Sequence, residues 1–165
     1  MDFYRNIKKV CSKHNKVALF VDMDGTIVEY KVYQEGFITN QSRELFINEK
    51  PVNIIIDQLK EINNIDNIDI YILSLSKSNI IKEEKINWLK KNVPFIKENN
   101  YIILVRENND YNSETRTYIK AEKMKEKLKN DDYVILLDDE HKILKATQKE
   151  LKDKGEVFHI SSAII

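Results

Sequence analysis

The chain has 165 residues, 42% of them hydrophobic and 33% charged, the balance of one globular domain long enough to bury a core. Lys plus Arg and Asp plus Glu number 27 each, so no bulk attraction to nucleic acid or to an anionic membrane surface is expected. Cys11 is the only cysteine, which excludes an internal disulfide, and no apolar run approaches the roughly 20 residues that span a bilayer.

Phe3, Ile7, Val10 and Cys11 recur at helical spacing and predict an amphipathic helix over residues 2 to 14. The same stretch is punctuated by Asp2, Arg5, Lys8, Lys9, Lys13 and Lys16, so no signal peptide is expected and a cytoplasmic location is. A strand follows at 17 to 22 (VALFVD). Residues 30 to 50 carry turn chemistry at Gly36 and aromatics at Tyr30, Tyr33, Phe37 and Phe46. They predict a small flap or cap insertion, at about 28 to 50, within a single domain of residues 1 to 165. Pro51 then opens a helix with Ile55, Leu59 and Ile62 on one face.

Further strands are predicted at 68 to 74, 101 to 105, 133 to 138 and 156 to 160. Between them lie helices marked by Ile86, Leu89 and Val93, by Ala121, Met124 and Leu128, and by Leu144, Thr147 and Leu151. The lysine-rich "KAEKMKEKLK" is mostly the wet face of the second of these and not a binding patch. Short, β-branched, aliphatic strands without alternation are covered on both faces. The expected fold is therefore α/β: a three-layer, Rossmann-like arrangement with a five-stranded parallel sheet.

Sites in such sheets form beyond the carboxyl ends of the strands. Those ends here deliver Asp22 and Asp24, then Ser74 with Ser76 and Lys77, and finally Asp138 and Asp139. Lys120 opens the helix leading into the fourth strand. Any one of these residues is ordinary turn or cap chemistry, but two acidic doublets ending two hydrophobic strands require a compensating cation. Carboxylate oxygens without nearby His or Cys select Mg²⁺. An EF-hand reading of "DMDG" fails, since Ile27 stands at the expected glycine and Tyr33 at the twelfth position.

These residues carry a resemblance. "VDMDGTIV" resembles the first motif of the haloacid dehalogenase (HAD) superfamily, "IYILS" its second and "ILLDD" its fourth, with Lys120 where the third-motif lysine belongs. "FINEKPVNIIIDQL" and "EEKINWLKKNVP" are similar to the 5'-nucleotidase (deoxyribonucleotidase, cytosolic type C) branch. The resemblance implies an aspartyl-phosphate mechanism with Asp22 as nucleophile and Asp24 as general acid and base. It further implies phosphate binding by Ser74, Lys120, Gly25 and Thr26. Mg²⁺ is to be held by Asp22, Asp138 and Asp139, and by Asp24 through its backbone carbonyl.

The stretched segment "RENNDYNSETRTYIK" leaves Lys85 as a rival to Lys120. Lys85 is expected to be structural, because its place in a helix puts it roughly 9 Å past the strand tip. The implied partner is a nucleotide or other small phosphomonoester, which Tyr30, Tyr33 and Phe37 either stack against or leave to pack on their own flap. The alternatives are a non-catalytic HAD-like domain and a receiver-like regulatory domain. A receiver, however, needs a phospho-acceptor aspartate after its third strand, where this chain has Val105. His159, with Ser161, is expected to be structural. Cys11, His14 and His141 carry no functional signal.

Overall fold

The burial of β1 sets the architecture. In the computed structural model, which describes residues 2–29, 46–130 and 132–165, every residue of β1 (Val17–Val21) is buried. It lies at the centre of a sheet with β2 (Ile68–Ser76), β3 (Tyr101–Val105), β4 (Tyr133–Asp138) and β5 (Gly155–His159). The strand order is β3-β2-β1-β4-β5 and all neighbours are parallel. The absence of alternation in the strand sequences has a direct cause. Val17, Leu19 and Val21 enter the core on one face, while Ala18 and Phe20 enter the core on the other.

The first face is covered by α1 (Asp2–Lys13), α2 (Asn53–Ile62), α3 (Asn79–Asn92) and the short α6 (Ser161–Ile164). The second is covered by α4 (Ile119–Lys127) and α5 (His141–Leu151). Phe3 of α1 meets Phe158 edge-to-face with ring centroids 5.3 Å apart. Asn67 donates to the carbonyls of Cys11 and His14, satisfying acceptors that the end of α1 leaves open. No helix among the described residues is long and apolar enough to cross a membrane.

The expected elements are present, and three departures from expectation bear on the site. α2 begins at Asn53 and not at Pro51. Residues 50 to 52 are first stitched to the β1 turn, with Glu29 N–H donating to Lys50 O, Val52 N–H to Ile27 O, and Pro51 bridged to Val28. β2 runs two residues past Ser74, because Leu75 and Ser76 still pair with Leu104 and Val105 after β1 has turned away. In α3 the buried residues are Glu84, Lys85, Trp88 and Leu89, so the inward stripe passes through a lysine and leaves Ile86 only partly covered. Gly36 and the flap aromatics Tyr30, Tyr33 and Phe37 lie outside the described residues. Phe46 lies within them and packs edge-on against Trp88.

Trp88 ties α3 to the chain just before Pro51. It is fully buried, and its indole N–H donates to Glu49 O at 2.9 Å. Replacing Trp88 with Ala should cost about 3–5 kcal/mol of stability. Urea denaturation followed by far-ultraviolet circular dichroism measures this without depending on the lost fluorophore.

Candidate active site

The strand order reverses direction between β1 and β4, and the crevice of a doubly wound sheet opens at such a switch point. Asp22 follows β1, Ser74 sits near the end of β2 and Asp138 ends β4, so three adjacent strands deliver them to one rim. Asp22 is fixed by its own N–H, which donates to Leu137 O of β4 at 3.0 Å.

The next residues fold into a tight turn around one carbonyl. Met23 O accepts from the N–H groups of Thr26, Ile27 and Val28. Gly25 takes the left-handed region at φ +80°, where a side chain is strained. A Cβ at Gly25 would also run into the Asp139 carboxyl group. The turn therefore brings the two acidic doublets into contact only with glycine at this position. Thr26 is buried, and its hydroxyl lies 3.3 Å from Asp22 Oδ2.

Two lysines enter from opposite layers. Lys120, at the start of α4, places its ammonium 2.7 Å from Asp22 Oδ1 and 2.7 Å from Asp138 Oδ2. Asp138 Oδ1 accepts from Glu140 N–H at 2.9 Å. Lys85, from α3, donates to Asp24 Oδ2, Ser74 Oγ and Leu75 O, each at 2.8 Å. Both lysines are only 2% exposed.

The expectation that Lys85 lies beyond reach of the strand tip is thus corrected. Helical side chains lean towards the N-terminus of their helix, and the long lysine stem carries the charge back along α3 to Ser74. With its hydroxyl oxygen accepting from Lys85, Ser74 keeps its hydrogen for an incoming acceptor.

The acids differ in environment. Burial pushes Asp22 up to about 7, helped by the charges of Asp138 and Asp24 and opposed by Lys120. Burial and then Asp138 push Asp139 up to about 6. For Lys120 burial works against the charge, but Asp22 and Asp138 outweigh it and hold the ammonium protonated well above its ordinary range. The Asp24 side chain is half exposed and faces solvent on one side and Lys85 on the other.

Asp22, Asp138 and Asp139 each offer a carboxylate oxygen within 4.8 Å of the others. That all-oxygen donor set fits a hard divalent ion. Asp24 contributes no carboxylate to this set, because its own is turned to Lys85.

Asp22, Asp24, Leu75, Lys120 and Asp139 line a cavity of about 380 Å³ together with two residues that sequence reasoning missed, Arg116 and Glu140. The Arg116 guanidinium forms a bidentate pair with Glu140 at 2.9 and 2.7 Å, and each side chain is about half exposed. Arg116 sits in the segment before α4, which is anchored by Tyr111 O–H donating to Ser76 O and by a turn that Asn112 caps. Nothing in its spacing marks it in the sequence. Lys85 did leave a signal, since it shares a helical stripe with Trp88 and Leu89. His159 is satisfied within the fold: Nδ1 accepts from Ser161 N–H, so Nε2 carries the hydrogen bonded to Asp139 O at 3.0 Å.

No family model matches this chain, and no curated protein sequence matches it. Among solved structures it is similar to the HAD domain of effector protein Lem4 from Legionella pneumophila, with a TM-score of 0.55 at 14% identity. The alignment covers 88% of this chain and 87% of that one. At this identity the likeness concerns the fold, and the fold is HAD-like.

The raised Asp22 carboxyl has a consequence for stability in chelator. A buried acid whose folded-state pKa lies near 7, against about 3.9 when unfolded, binds its proton more tightly in the folded state. Its contribution favours folding below about pH 4 and is lost as pH rises through 7. Comparing urea unfolding of the wild type and Asp22→Asn from pH 4 to 8 should show the wild type losing ground to the variant as pH increases.

Proposed function

We infer that the protein is a Mg²⁺-dependent phosphomonoester hydrolase of the HAD type, working through an aspartyl-phosphate on Asp22. The observation that carries this reading is the division between the first two acids. Asp22 is buried against Lys120, while Asp24, two residues on, is half exposed beside Lys85 and Ser74. Two carboxylates in contrasting settings at one cavity suit a nucleophile and an acid–base partner. A receiver-like reading lacks its acceptor, since β3 ends in Val105 and Arg106 follows.

In the first step an Asp22 carboxylate oxygen attacks phosphorus and the bond to the ester oxygen breaks. Asp24, protonated, gives its proton to the departing alkoxide. In the second step Asp24 takes a proton from water, whose oxygen attacks phosphorus and breaks the bond to Asp22, releasing orthophosphate. Ser74 O–H and the Lys85 ammonium would hold phosphoryl oxygens as negative charge shifts onto them, with Lys85 exchanging its Asp24 contact for the substrate. Lys120, already on Asp22 Oδ1, would border the phosphoryl group once it is attached there. Asp22, Asp138 and Asp139 would hold the metal ion, which when bound supplies positive charge to the phosphoryl group.

The finer reading is a 5'-nucleotidase-like substrate range. It is supported by the Lys85–Trp88 pair in "EEKINWLKK", whose lysine reaches Ser74 and whose tryptophan meets the end of the flap at Glu49. Arg116 and Glu140 at the cavity mouth would face the part of the substrate beyond its phosphate.

Assay against nucleoside monophosphates and sugar phosphates, with Mg²⁺ and with EDTA, tests the activity; turnover that survives chelation unchanged would refute the metal. Asp22→Asn should abolish both turnover and trapping of fluoroberyllate, an aspartyl-phosphate mimic. Asp24→Asn should still bind the mimic and turn over about 10²- to 10⁴-fold more slowly. Lys85→Ala should weaken orthophosphate binding as well as turnover, whereas a purely structural Lys85 would change only the melting temperature.

A further inference from the structure

Asp139 is the one acid of the candidate metal cluster without a paired cation. Lys120 pairs with Asp22 and Asp138, and among the described residues no lysine or arginine pairs with Asp139. Burial and the charge of Asp138 both oppose its ionised form, so the carboxylate gains by turning away from its neighbours. Asp139 and Glu140 alone separate the end of β4 from the start of α5. Where the carboxylate points therefore depends on how that two-residue turn is held.

His159, at the end of β5, grips the turn at both ends. Its Nε2–H donates to Asp139 O at 3.0 Å, and its ring stacks on His141, the first residue of α5. The ring centroids are 4.1 Å apart and the planes lie within 7° of each other. The imidazole is itself oriented from behind. Ser161 N–H can only donate, and it reaches Nδ1 at 3.2 Å, while Asp139 O can only accept, so the hydrogen sits on Nε2. The segment that follows is tied to the first face of the sheet, where Gln58 of α2 donates to Ala163 O of α6. Closing β5 onto β4 does not require this side chain, because Ile160 N–H already donates to Asp138 O at 3.0 Å. What the imidazole adds is the contact to Asp139.

We propose that His159 is a positioning residue: its Nε2–H, acting on the Asp139 carbonyl, keeps the Asp139 carboxylate in the cluster with Asp22 and Asp138. It thereby sets how tightly that cluster takes a divalent ion, a role that rests on the Mg²⁺ reading above. Hydrogen bonds that orient a ligand from behind are worth roughly 10- to 100-fold in metal affinity.

The test compares chelator-treated wild type, His159→Gln and His159→Phe, each titrated with MgCl₂ by calorimetry and melted in EDTA. Glutamine carries an amide N–H where Nε2 sits, whereas phenylalanine keeps a ring to stack on His141 and has no donor. His159→Phe should bind Mg²⁺ roughly tenfold more weakly than wild type, and His159→Gln should stay within about threefold of it. A merely structural histidine would lower the melting temperature of both variants and leave the Mg²⁺ Kd of the folded protein unchanged. If His159→Phe does not fold, His159→Asn replaces it with the same expected loss, since its amide reaches only the Nδ1 position.

Wild-type Mg²⁺ affinity in the donor-less variant would overturn the proposal, as would equal losses in that variant and in His159→Gln. Either result would leave the Mg²⁺ reading standing. Absence of Mg²⁺ binding to the wild type would instead remove that reading and this proposal together.

Discussion

Repulsion between carboxylates at the tip of a buried strand is the constraint around which this molecule is arranged. β1 has no exposed face, so Asp22 at its end cannot relax into water, and β4 beside it ends in a second acid, Asp138. The fold answers with a cation from each helical layer. Lys120 comes from α4 on one side of the sheet and Lys85 from α3 on the other, and each reaches the strand tips with its stem buried. Neither position tolerates an ordinary surface lysine's freedom. The helices that carry them are therefore part of the site.

Glycine makes the arrangement compact. The left-handed Gly25 allows the chain to reverse within the span of the Met23 carbonyl's three hydrogen bonds, and its missing side chain gives Asp139 room to approach. Further out the contacts become weaker and more polar. The Arg116–Glu140 pair is half exposed, a setting in which ion pairs add little to stability. Glu140 also donates through its backbone N–H to Asp138 Oδ1, which links this side of the cavity wall to the acidic cluster.

Much of this was legible in the sequence, for a physical reason. Strands buried on both faces must be continuously apolar, so "VALFV" and "YVILLD" announced themselves, and a charge that ends such a run stands out against it. The sheet, its parallel sense and the meeting of Asp22, Ser74 and Asp138 on adjacent strands followed. The start of α4 beside Lys120 was also visible, because Ala121 and Met124 have helical spacing.

What escaped was direction. Distance along α3 places the Lys85 backbone well past the strand tip, whereas the ammonium travels back down the helix. The apolar spacing runs through Ile86 and not through Lys85 and Trp88, because a lysine does not look like an inward residue. Pro51 looked like a helix opener because its ring suits a first turn. Its place is instead fixed by pairing with Val28, a contact 23 positions away that no local pattern records. Arg116 was hidden for the opposite reason. Its segment folds through turns, side-chain caps and a single tyrosine hydroxyl, none of which has a period.

The contrast between Asp22 and Asp24 shows how little sequence distance matters to chemistry once the backbone turns. They are two residues apart, yet Asp22 belongs to the interior, where losing water raises the cost of its charge, and Asp24 belongs to the cavity wall. In the proposed role of nucleophile, Asp22 would rely on the Lys120 ammonium, which replaces lost water with a fixed charge and opposes the effect of burial. An acid–base group must exchange protons with the outside, which half exposure allows. Lys85 bridges Asp24 and Ser74, so a phosphoryl group that drew the ammonium to itself would leave the Asp24 carboxyl facing the cavity and solvent alone.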